Sequence, residues 1–79
     1  MADLKQTLVD IARAIVDNPD EVSVTSIEED NVVTLKLTVA KEDMGRVIGR
    51  HGRVAKAIRL VIKSAAIKSG KKANVDIEE

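Results

Sequence analysis

The sequence predicts an α+β domain whose elements run helix, strand, strand, helix, helix, strand. Three observations carry that reading. Apolar residues recur at helical spacing near the start, a clean two-residue alternation follows from Val33 to Val39, and a stretch from Arg53 to Lys68 without glycine or proline is entered through a glycine pair. Seventy-nine residues suffice for one domain, expected to span 1–79, with a core that is marginal unless densely packed or extended by a partner.

Leu4, Leu8, Ile11, Ala12 and Ile15 fall on one stripe roughly 100° wide, which predicts an amphipathic helix over residues 3 to 16. Asp3 can cap its start, and Asp17-Asn18-Pro19 ends it, because proline disfavours helix at the preceding residue. Val22 and Val24 alternate with polar neighbours, predicting a strand from 21 to 28, and Ile27 breaks the alternation, so a bulge or the strand's end is expected near Ser26. Glu29-Asp30-Asn31 reads as a hairpin turn, and Val33, Leu35, Leu37 and Val39 form the second strand. Residues 41 to 48 read as a short helix, 53 to 68 as a long one stopped by Gly70, and Ala73, Val75 and Ile77 as a last strand.

Composition excludes several classes. There is no cysteine, so disulfides and thiolate metal sites are ruled out, and no apolar run approaches the ~20 residues that span a bilayer. Asp3, Asp10 and Arg13 interrupt the apolar positions a secretory signal needs, so a cytoplasmic protein is expected. The formal net charge of zero hides a segregation: residues 1 to 43 carry ten acids against four bases, whereas residues 44 to 75 carry nine bases and no acid. That distribution suits a polyanion, or else is a solvated basic face.

The chemistry concentrates in Gly45-Arg46-Val47-Ile48-Gly49-Arg50-His51-Gly52-Arg53. Gly49 and Gly52, three apart between two helical segments, allow a tight turn whose backbone can approach a ligand. The helix that starts near Arg53 offers free N–H groups and the positive end of its dipole; Arg46, Arg50 and Arg53 surround the same point, and Lys56 and Arg59 follow one and two turns into the helix. Backbone donors, dipole and guanidinium groups then meet one phosphate together. His51, the only histidine, has no cysteine or acid cluster beside it, so it is read as a polar loop residue rather than a metal ligand or catalyst.

Val47-Ile48-Gly49-Arg50-His51-Gly52 resembles the V-I-G-x-x-G signature of the KH domain. The element order is similar to the type II form: a three-stranded sheet with three helices packed on one face. The longer run through Ala57-Ile58-Arg59 resembles the stand-alone bacterial KH proteins of the KhpA (YlqC) family, and the likeness covers essentially the whole chain. The resemblance implies single-stranded RNA as ligand, its backbone clamped over about four nucleotides by the G-x-x-G loop. Gly49 and Gly52 shape that loop, Arg50 and His51 expose N–H groups to phosphate, and Ile48 helps floor an aliphatic groove for the bases. Ala55 stands where many KH domains carry a large aliphatic residue, which implies weak base discrimination. The absence of Phe, Trp and Tyr fits, since RRM and OB-type readers stack bases on aromatic rings. Affinity is expected to be low and strongly salt-dependent.

The long helix carries more apolar residues than one core face needs. Val54, Ile58, Val61, Ile62 and Ala65 make one stripe, and Ala57, Leu60, Ser64 and Ile67 form a second seam that is either covered by the domain's own sheet or used for association. The family resemblance implies pairing with a second copy, or with a larger KH-containing partner of the KhpB (Jag) type. Ala57, Leu60, Val61, Ser64 and Ile67 are the expected interface.

An enzyme is disfavoured: Gly45 to Gly52 lacks the spacing and the lysine-hydroxyl pair of a phosphate-binding Walker loop, and no nucleophile-base arrangement is readable. No cofactor, metal or catalytic residue is expected. The expected role is a post-transcriptional regulator or RNA chaperone; the alternatives are a protein-interaction (dimerisation) module with little or no RNA binding, and a single-stranded DNA binder. Aspartate at both Gly49 and Gly52 is expected to repel phosphate while leaving the core untouched.

Overall fold

The structure, a computed structural model, describes residues 3 to 79. Asp3 caps α1 (Leu4–Ile15) as its type and position predict: its carboxylate accepts from the backbone N–H groups of Lys5 at 3.0 Å and Gln6 at 3.4 Å. Leu8 and Ala12 bury the apolar stripe, with Leu4, Ile11 and Ile15 packed around them. Pro19 opens a 3₁₀ turn over Pro19–Glu21, so β1 (Ser23–Glu29) begins two residues later than the alternation suggests.

β1 and β2 (Val32–Thr38) pair antiparallel, residue for residue, from Ser23 opposite Thr38 to Glu29 opposite Val32. The expected bulge near Ser26 is therefore absent. Ile27 breaks the hydrophobic pattern without disturbing the backbone: it lies opposite Thr34 on the face away from the core and is 46% exposed. Asp30 (φ 49°) and Asn31 (φ 67°) supply the two positive dihedrals that a tight two-residue hairpin matched to strand twist requires.

β3 (Lys72–Glu78) pairs parallel with β2, giving the order β1-β2-β3. Parallel neighbours need a long crossover, which is provided by a 3₁₀ turn at Lys41–Asp43, α2 (Met44–Ile48) and α3 (Arg53–Lys68). Leu35, Leu37, Val33, Ala73 and Val75 face the helices, and Ala55, Ile58, Ile62 and Ala66 of α3 complete the core with Val47. The C-terminus of α3 closes with the paired bonds of a Schellman motif, Gly70 N–H to Ile67 O and Lys71 N–H to Ala66 O, both 2.9 Å.

One stripe on α3 differs from expectation. Val61, which shares a stripe with Ile58 and Ile62 and also belongs to the expected interface, is 47% exposed, and the buried face runs through Ala55, Ile58, Ile62 and Ala66. At 100° per residue Val61 and Ile58 stand ~60° apart, enough to carry Val61 over the edge of the buried stripe.

Candidate nucleic-acid interface

Gly49 ends α2, its N–H bonded to Gly45 O at 2.9 Å, in a conformation (φ 75°, ψ 172°) that only glycine adopts readily. A Cβ on Gly49 would stand 2.4 Å from Val54 Cγ2 and 2.9 Å from Val54 N, so this backbone lies directly against the first turn of α3. The chain then turns through His51 (φ 59°, ψ 23°) and Gly52 (φ 73°, ψ 14°), both left-handed, with Gly52 N–H bonded to Gly49 O at 3.1 Å. A Cβ on Gly52 would meet nothing within 4 Å. The two glycines thus do different work: Gly49 is packed against the fold, whereas Gly52 faces open space.

The bend is on the surface, with Arg50 and His51 exposed and Gly49 and Gly52 half-buried. Among the described residues no side chain caps α3; the Arg53 N–H is bonded to Arg50 O, and the positive end of the helix dipole faces the bend. Arg50, Arg53 and Lys56 are exposed and form no ion pair among the described residues. Ile48, the last residue of α2, is 40% exposed, while Ala55 is buried.

Two predicted bases sit differently. Arg46 is engaged by an acid of the same chain: its Nε lies 3.2 Å from Asp17 Oδ2. Arg59 turns toward the sheet and donates from Nε to Val75 O at 3.3 Å, on the edge strand β3. With Lys63, Thr34, Asn74, Val75 and Asp76 it lines an open cleft of about 470 Å³. Lys56, Arg59 and Lys63 fall within ~60° of one another around α3, so the basic flank continues from the bend along the helix toward β3. Lys63, Asn74 and Asp76 were not singled out from the sequence, because a helix flank meeting a strand edge leaves no local spacing to read.

Behind the bend lies a buried carboxylate. Asp43 is 1% exposed and accepts from Asp17 N–H and Asn18 N–H, each at 3.1 Å, and from Asn18 Nδ2 at 3.0 Å. Burial pushes its pKa up, but the bonds from Asn18 and Asp17, with Arg46 nearby, outweigh that and hold it below the ordinary value of 3.8. This clip ties the end of α1 to the start of α2, and so sets where the bend projects. Sequence spacing could not find it, since the partners are 25 and 26 residues apart.

The expected interface on α3 is exposed rather than covered by the sheet. Leu60 is 66%, Val61 47% and Ile67 71% exposed, with Ala57 and Ser64 between them. This seam occupies the outward face of α3, adjacent to the basic flank.

A family described as "KhpA/KhpB, KH domain" matches residues 5–77. The chain belongs to this family. It is 53% identical over 74 residues to "RNA-binding protein KhpA" of Clostridium acetobutylicum, covering 94% of this chain and 99% of that one. It is 43% identical over 76 residues to the protein of that name from Listeria monocytogenes, covering 96% and 100%. The Bacillus subtilis relative is 42% identical over 74 residues, covering 94% and 91%. The KH fold is seen independently in a crystal structure of Era in complex with MgGDPNP and nucleotides 1506–1542 of 16S ribosomal RNA. Its TM-score is 0.65 at 16% identity, over 95% of this chain and 29% of Era. The KhpA/KhpB family is one of KH-domain proteins, not of enzymes. Among the described residues no helix is long and apolar enough to cross a membrane, and no cluster of three or more potential ligands could hold a metal.

Proposed function

We propose that the chain binds single-stranded RNA by seating the strand's phosphates on the exposed bend from Gly49 to Gly52. The observation that carries this is the conjunction at one point of left-handed backbone, an uncapped α3 N-terminus and the free guanidinium groups of Arg50 and Arg53. The relatives named as RNA-binding proteins support the ligand class. Bases leaving the bend would run past Ile48 toward the cleft between α3 and β3, where Arg59, Asn74 and Asp76 offer hydrogen-bonding groups. No aromatic ring is present to stack them, so phosphate contacts dominate and sequence preference is weak.

The exposed seam Ala57, Leu60, Val61, Ser64 and Ile67 is read as the surface on which a second copy, or a larger KhpB/Jag-type KH protein, docks. Docking there leaves the bend free and joins two weak RNA sites in one particle, which raises avidity without new contacts. A cytoplasmic post-transcriptional regulator or RNA chaperone is the role that fits weak, backbone-directed binding. Crosslinking of RNA from cells tests the reading: a Gly52→Asp protein is expected to lose crosslinked RNA, and undiminished crosslinking would overturn it in favour of an interaction module. Competition by DNA of the same sequence separates a single-stranded DNA binder, since only the 2′-OH distinguishes the two.

A further inference from the structure

We infer that Asp17 is an intramolecular counterion that weakens the bend's hold on nucleic-acid phosphate by occupying Arg46. The inference rests on the RNA-binding reading above and concerns how tightly that site holds its ligand. Arg46 lies three residues before Gly49 on α2, and among Arg46, Arg50, Arg53 and Lys56 it alone forms an ion pair among the described residues.

Its partner is held in place. Asp17 N–H donates to Asp43 Oδ1, Asn18 donates twice to Asp43 Oδ2, and Asp43 itself stands at the start of the helix that carries Arg46. The buried clip thus fixes the backbone of Asp17 beside α2 and leaves its carboxylate free to reach the guanidinium at 3.2 Å. Both side chains remain well exposed, 57% for Arg46 and 68% for Asp17, so the pair is weak enough for a phosphate to displace. A strand that uses Arg46 must first break this contact, and then lies near an uncompensated carboxylate. Asp17 therefore lowers affinity twice over, without touching RNA.

The test is a double-mutant cycle read by fluorescence anisotropy with a labelled oligouridylate about a dozen nucleotides long, which spans more than the four nucleotides of one loop. Wild type, Asp17→Asn, Arg46→Gln and the double variant are titrated at several salt concentrations. Asp17→Asn is expected to bind about two- to fivefold tighter than wild type. Its log–log salt slope is expected to steepen by about 0.7, the release of one further counterion from a single strand. Arg46→Gln is expected to weaken the Asp17→Asn protein more than it weakens wild type. Equal or weaker binding by Asp17→Asn, or a gain that persists undiminished in the Arg46→Gln background, overturns the inference. If wild type binds and responds to Gly52→Asp while Asp17→Asn changes nothing, only this inference falls. If none of the four proteins binds, the RNA reading falls with it.

Discussion

Replacing Gly49 and Gly52 separately by aspartate separates the architecture of the bend from its chemistry. At Gly49 the new Cβ would approach Val54 Cγ2 to 2.4 Å, Val54 Cβ to 2.8 Å and Val54 N to 2.9 Å. The last of these is backbone and cannot swing away. The dihedrals (φ 75°, ψ 172°) add a strain of about 1–3 kcal/mol for any residue but glycine, and overpacking about 1–3 more. Together, about 2–6 kcal/mol stands against a total stability of about 4–12 kcal/mol for a domain of this size. At Gly52 the Cβ meets nothing, and a left-handed aspartate costs only about 1 kcal/mol. With no aromatic residue to report tertiary structure, urea unfolding must be followed by far-ultraviolet circular dichroism. Gly52→Asp is expected to stay folded, about 1 kcal/mol less stable, and to bind RNA roughly tenfold more weakly, because a carboxylate now faces phosphate at close range. Gly49→Asp is expected to lose much of its stability as well as its binding. Equal stability of Gly49→Asp and wild type would refute the close approach, and wild-type affinity in a folded Gly52→Asp would refute the bend as phosphate site. The expectation that both exchanges spare the core therefore holds for Gly52 alone.

Gly45→Ala should stabilise the domain by about 0.5–1 kcal/mol in urea titration, since Gly45 is helical and a Cβ there meets nothing. Leu60→Asp and Val61→Asp should leave monomer stability within about 0.5 kcal/mol, because both side chains are exposed, yet shift sedimentation to a smaller species. Unchanged sedimentation of the folded variants would remove α3 as the interface. Asp43 is held below its ordinary value of 3.8, so its stabilising contribution is full above that value and drains away as pH falls through the lower folded one. The stability gap between wild type and Asp43→Asn should be flat above pH about 5 and narrow below pH about 4; a gap independent of pH would contradict the clip.

Elements governed by local rules were legible in the chain. Asp3 caps α1, Asp30-Asn31 turn the hairpin and Val33 to Val39 alternate into β2, because each depends on neighbours a few residues away. The glycine pair was legible for the same reason. What Gly49 and Gly52 each do was not, since Gly49 is constrained by Val54 across the bend and Gly52 only by its own left-handed backbone. Charge counting placed five bases around the loop but could not see that Asp17 takes Arg46 or that Arg59 turns to Val75 O. Those partners lie 29 and 16 residues away, brought there by the Asp43 clip and by the packing of α3 on β3. Ile27 misled through hydrophobic pattern, which reports what a face meets and not whether the strand is regular.

The claim on which the account turns is that phosphate sits on the bend, and backbone amide shifts during titration with a short oligouridylate read this directly. The largest and earliest changes are expected at the amides of Arg50, His51, Gly52 and Arg53, spreading along Lys56 and β3 as the strand lengthens. Shifts confined to the outer seam of α3 or to the uncovered face of the sheet, with those four amides unmoved, would contradict it.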